Sequence, residues 1–206
     1  MMRQLISIII VVSFLGCEES KTNNGKDNDI EVLVKKPVVI KAVEVNKDEL
    51  ILNQVEGIWY YNEEPYNGYA LRFHANDTLG ERIGFYNGKR EGVARQWSPY
   101  GVLRVESHYR NNRLSGVYKS WWENGELSRE SHYEKGLLNG LEKQWYSNGQ
   151  LSKLRHIVDG KEEGIQKGWL ENGKLYVNYE AKNGRIYGMR RANSCYKLED
   201  EVVIKN

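Results

Sequence analysis

Glycine returns every 24 residues through most of this chain, at Gly68, Gly92, Gly116, Gly140, Gly164 and Gly188. Other columns keep the same step. One runs Phe73, Trp97, Trp121, Trp145, Trp169, and another Leu79, Leu103, Leu127, Leu151, Leu175. Two turn columns accompany them: Gly101, Gly125, Gly149, Gly173, and Gly88, Asn112, Gly136, Gly160, Gly184. A third apolar column, Phe85, Tyr109, Tyr133, Ile157, fades at Ala181. Several columns in phase over five copies define a repeat architecture, in which each unit buries its apolar groups against its neighbours.

Two turn signals in 24 residues leave runs too short for helices. In Gly116–Asn139, Val117, Lys119 and Trp121 alternate with Tyr118, Ser120 and Trp122, and Asn124-Gly125 follows as a two-residue hairpin signal. The return strand sets Leu127, Arg129, Ser131 and Tyr133 on one face and Glu126, Ser128, Glu130 and His132 on the other. Period two with one richer apolar face predicts half-buried antiparallel strands. Composition agrees: 6 Trp and 14 Tyr stand against 3 Phe, and 20 Gly against 3 Pro. The net charge of +2, from 30 bases and 28 acids, argues for neither nucleic acid nor an acidic substrate.

The N-terminus carries an address. Arg3 precedes an apolar run from Leu5 to Leu15, whose eleven residues cover about half of a ~30 Å hydrocarbon core. The run ends in Phe14-Leu15-Gly16-Cys17, which resembles a bacterial lipobox. The resemblance implies a lipoprotein signal peptide over residues 1–16, cleavage before Cys17 and lipidation of that cysteine. Residues 17–36 are polar and read as a flexible tether. Glu18 and Glu19 look like the acidic export signal of surface lipoproteins, which implies a lipid-anchored protein of the cell envelope, at the outer membrane. Cys195 is then the one thiol left in the mature chain.

The repeat pattern G-x-x-x-x-W/Y-x-x-N-G-x-L-x-x-x-x-x-Y-x-x-G is similar to the variant MORN repeat of bacteria, a family with many lipoproteins and proteins labelled antitoxin-like. That resemblance implies an all-β fold, an elongated single-layer antiparallel sheet of tandem 24-residue hairpins, with ~9.6 Å between equivalent strands. It divides the chain into N-terminal strands and a degenerate capping repeat over 37–66, five repeats over 67–187, and a C-terminal cap over 188–206.

Candidate site residues follow from the columns. Arg95, Lys119, Lys143 and Lys167 alternate with Trp97, Trp121, Trp145 and Trp169 on one face. Their stems cover indoles, or the two columns form an aromatic-basic groove for an anionic or extended ligand. His108, His132 and His156 form a further column, but a ~9.6 Å step does not bring neighbouring rings onto one zinc ion. Glu91, Glu123, Glu130, Glu142, Glu163 and Glu171 read as solvated edges, and no catalytic or cofactor motif appears. The reading is a non-catalytic repeat lipoprotein that scaffolds an envelope protein partner, without cofactor, metal, nucleic acid or small-molecule ligand. The alternative is glycan or polymer binding through the aromatic-basic face.

Overall fold

A computed structural model of the chain describes residues 38–189. Cys17, the signal segment, the tether and Cys195 lie outside the described residues. The N-terminal strands are β1 (Glu44–Asn46), β2 (Ile51–Asn53), β3 (Ile58–Tyr61) and β4 (Glu64–Pro65), with a 3-10 turn at Lys47–Glu49. The repeats supply β5 (Gly68–Phe73), β6 (Leu79–Tyr86), β7 (Lys89–Trp97), β8 (Leu103–Arg110), β9 (Arg113–Leu114) and β10 (Gly116–Trp121). They continue with β11 (Leu127–Glu134), β12 (Leu137–Leu138), β13 (Gly140–Trp145), β14 (Leu151–Val158), β15 (Lys161–Trp169), β16 (Leu175–Lys182) and β17 (Arg185–Met189).

The large sheet runs β1-β5-β6-β7-β8-β10-β11-β13-β14-β15-β16-β17, with β9 on β8 and β12 on β11. Sequential hairpins lie side by side, as the repeat requires. Two features depart from a single-layer antiparallel sheet. β1 pairs with β5 in parallel. At the same end the small sheet β2-β3-β4 adds Trp59 and Tyr61 to a core of Leu50, Tyr66, Ala70, Ile83, Phe85 and Ala94. Trp59 and Tyr66 both meet Phe85, with ring centroids 5.9 Å apart. This local second layer covers the apolar edge that an open sheet would leave wet.

The two turns of each repeat are of different kinds, and the two-residue turn is not where Asn124-Gly125 placed it. Asn124 keeps a negative φ; the Gly125 N–H bonds Trp122 O at 3.0 Å, and only Gly125 is left-handed, at φ +85°. That is the longer loop, a turn closed by a glycine bulge. The second turn column holds the tight hairpins, with both central residues at positive φ: Asn87-Gly88, Asn111-Asn112, Lys135-Gly136, Asp159-Gly160 and Asn183-Gly184.

A bulge also corrects the faces. Ser120 pairs with Arg129, while Trp121 pairs with Leu127, so Ser128 is the extra residue. Directly opposed residues share a face, and Ser120 and Trp121 do not. Leu127 therefore leaves Arg129, Ser131 and Tyr133 and joins Trp121, Lys119, Glu130 and His132 on what we call the tryptophan face. The opposite, tyrosine face holds Tyr118 and Tyr133, whose centroids are 6.0 Å apart. The same slip recurs at Trp97, Trp145 and Trp169.

The glycine column answers a close approach. Gly164 sits at φ +86°, and a Cβ there would lie 2.8 Å from His156 Nδ1. At Gly116 and Gly140 the same approach is looser, with the added Cβ at 3.8 Å from His108 Cβ and 4.0 Å from His132 Cβ. His108 shows the polar side of the contact, its Nδ1 donating to Val117 O at 2.9 Å.

Candidate functional site

Register builds one continuous row across the tyrosine face. It runs Ala70, Ile83, Ala94, Ser107, Tyr118, Ser131, Glu142, Arg155, Gln166, Tyr179. All are buried except Tyr118 and Arg155, which are half-buried. The row begins apolar and ends polar. Glu142, expected at a solvated edge, is the clearest correction: its side chain is 1% exposed. Arg129 Nη2 lies 2.6 Å from its Oε1, Arg155 pairs with its Oε2, and Gln144 Nε2 donates to Oε1 at 3.3 Å. Two guanidiniums and an amide supply what water would otherwise give. Arg129 also donates to Tyr133 OH at 3.2 Å and stands 5.4 Å from the Tyr118 centroid. Burial pushes the Tyr118 phenol up, against the opposing pull of the Arg129 charge.

The tryptophan face carries the residues singled out from sequence, and its two halves differ. Arg95 Nε meets Glu106 Oε2 at 2.7 Å, and Lys119 Nζ meets Glu130 Oε2 at 3.3 Å. In the next two repeats the hairpin partners are Leu154 and Asn178; Lys167 faces no carboxylate on either neighbouring strand, and Lys143 faces only Glu130, whose ion pair is with Lys119. Trp97, Trp121, Trp145 and Trp169 are half-buried rather than core, and Phe73, in the same column, is 49% exposed. One sheet layer covers an indole on one side only.

The column His74, Ser98, Trp122, Tyr146 and Leu170 varies too much to form a repeated cage, and its role is different. His74 Nε2 donates to Trp97 O at 2.9 Å, Trp122 Nε1 to Trp145 O at 3.1 Å, and Tyr146 OH to Trp169 O at 2.9 Å. Each reaches the backbone carbonyl that ends the corresponding strand of the following repeat. Ser98 is too short and bonds Glu123 instead, while Arg104 Nε caps Trp121 O at 2.8 Å. Any donor of adequate length serves, which is why residue identity drifts. The tight turns make a second tie between repeats: Gly136 N donates to Leu114 O and Gly160 N to Leu138 O, both at 2.8 Å.

At the end of the polar row the tyrosine face opens into a cavity of about 580 Å³, bounded by Lys153, Arg155, Glu162, Gln166, Tyr176 and Tyr179. No group of metal-ligating side chains occurs among the described residues.

Hairpins in series, tied by recurring hydrogen bonds between neighbours, define a β-repeat protein. Two of its units, residues 114–135 and 138–159, match the family model of the MORN repeat variant. The two matches start 24 residues apart, in step with the columns. No curated protein matches the chain. The match supports a repeat protein with a binding or scaffolding role.

Proposed function

We propose that this chain is a non-catalytic interaction module of the bacterial cell envelope, anchored through lipid on Cys17, which presents the tryptophan face of its later repeats to a protein partner. One observation carries the choice of face. Lys167 faces Leu154 and Asn178 and no glutamate, and Lys143 faces Leu154 and the one carboxylate of Glu130, which already pairs with Lys119, while half-buried indoles and Leu141, 53% exposed, surround them. Aromatic groups beside under-compensated cations suit a partner with apolar anchors and a carboxylate rim. The anchor rests on the Phe14–Cys17 sequence.

The test places a photo-crosslinking residue at Leu141 of the full-length protein in envelope membranes. An adduct with an envelope protein is expected, lost in Lys143→Glu. No adduct, or one indifferent to that change, refutes the face. Palmitate label that depends on Cys17 tests the anchor, and unlabelled wild type refutes it.

A further inference from the structure

Gly168 stands where earlier repeats hold Gln96, Ser120 and Gln144. It lines the cavity of about 580 Å³, within the ~300–1,000 Å³ of small-ligand sites, and lets Val177 and Tyr176 close in to 3.1 Å and 3.3 Å of where a Cβ would stand. The chemistry of the walls is specific. Gln166, 1% exposed, donates its amide to His156 O at 2.7 Å and to Gly164 O at 3.3 Å, while its Oε1 has no partner. Arg155 is held by Glu142, and Glu162 accepts from Tyr179 OH at 2.7 Å. Those charges are occupied. Lys153 is not, since it has no ion pair among the described residues. This unpaired positive charge is local, and a net charge of +2 gives no sign of it.

An occupant must therefore bring a negative group for the Lys153 ammonium, a donor for the Gln166 carbonyl, and a flat, partly apolar surface for Tyr176 and Tyr179. An inorganic anion offers only the first. A neutral sugar offers only the second and third. A sugar ring bearing a carboxylate offers all three, its hydroxyls donating and its C–H face lying on phenol rings. We propose that this cavity binds a carboxylated sugar unit of an acidic polysaccharide. The site is on the opposite face from Lys143 and does not depend on the protein partner proposed above.

Calorimetry of the full-length protein in neutral detergent, with trigalacturonate, maltotriose and tripolyphosphate as probes, tests this. Trigalacturonate should bind at least ~10-fold more tightly than either of the others, and more weakly as salt rises. Lys153→Gln, an exposed change, should weaken it several-fold and leave the melting temperature unaltered; Tyr176→Ala should weaken it independently of charge. Lys135→Gln, at an exposed turn of an earlier repeat, should do nothing. Equal binding of tripolyphosphate reduces the site to an anion patch and overturns the proposal. Equal binding of maltotriose, no binding of trigalacturonate, or indifference to both cavity variants overturns it as well.

Discussion

Gly125 and Gly164 allow backbone strain and side-chain collision to be measured apart. Their φ values are nearly the same, +85° and +86°. An alanine at either must hold a left-handed conformation, costing about 1–2 kcal/mol. At Gly125 an added Cβ meets nothing within 4 Å, so Gly125→Ala should lose only that amount. At Gly164 the Cβ would sit 2.8 Å from His156 Nδ1, and the ring has to shift. Overpacking adds about 1–3 kcal/mol, for a total of about 2–5 kcal/mol at Gly164. Urea denaturation of the full-length variants, followed by tryptophan fluorescence, gives midpoints and slopes that convert to these energies. Thermal midpoints should fall in the same order, by about 2–4 °C per kcal/mol. His156→Ala combined with Gly164→Ala should recover the collision and leave the backbone part, a coupling of about 1–3 kcal/mol in a double-mutant cycle. Equal losses at the two glycines, or no coupling to His156, would refute the packing of His156 on Gly164 as the reason for glycine at that position.

Two further outcomes test the electrostatics. Glu142→Gln should destabilise by about 3–5 kcal/mol in urea, because Arg129 loses its anion beside a buried amide and Arg155 keeps only Glu162, at 3.8 Å, whereas Glu130→Gln, in an exposed pair with Lys119, should lose under about 1 kcal/mol. For Glu81, burial alone would push the carboxyl up, but its pairing with Lys47 and its contacts with Gln96 and Arg72 hold it below its ordinary 4.5. Its stabilisation is therefore complete above pH 4.5 and disappears as pH falls through the lower folded value. Lys47→Met should raise the acid-unfolding midpoint, read by circular dichroism, and an unmoved midpoint would show that this pair does not set acid stability.

The period, the hairpins and the strand order were legible in the sequence because a 24-residue step fixes where turns and apolar groups recur. What it hid were the bulges. Ser128 looks like an ordinary outward residue, yet its insertion moves Leu127 to the opposite face from Arg129. Asn124-Gly125 has the composition of a tight hairpin, but the bulge lengthens the loop, and Lys135-Gly136 takes the tight turn with a residue type that gives no warning. Glu142 read as solvated because a carboxylate in an alternating strand usually is. Only the register sets Arg155 directly opposite and Arg129 diagonally across the neighbouring strand. Of the candidate face, the alternation of Arg95, Lys119, Lys143 and Lys167 with the tryptophans was readable. The loss of Glu106 and Glu130 equivalents at Leu154 and Asn178 was visible too, as a break in a column. The cavity at Gly168 had a similar trace, one glycine in a column of Gln and Ser, but its meaning needed the opposite wall.

The gradual change of the buried row from Ala70-Ile83-Ala94 to Glu142-Arg155-Gln166 gives the two ends of the sheet different thermodynamic characters. Removing apolar groups from water carries a large heat-capacity change of one sign, and removing polar groups carries a smaller one of the other. The end capped by Trp59, Tyr66 and Phe85 should lose strength on cooling. The end held by guanidinium and carboxylate should be nearly indifferent to cold. Hydrogen exchange would then show protection in the first repeats falling relative to the last as the protein is cooled toward freezing.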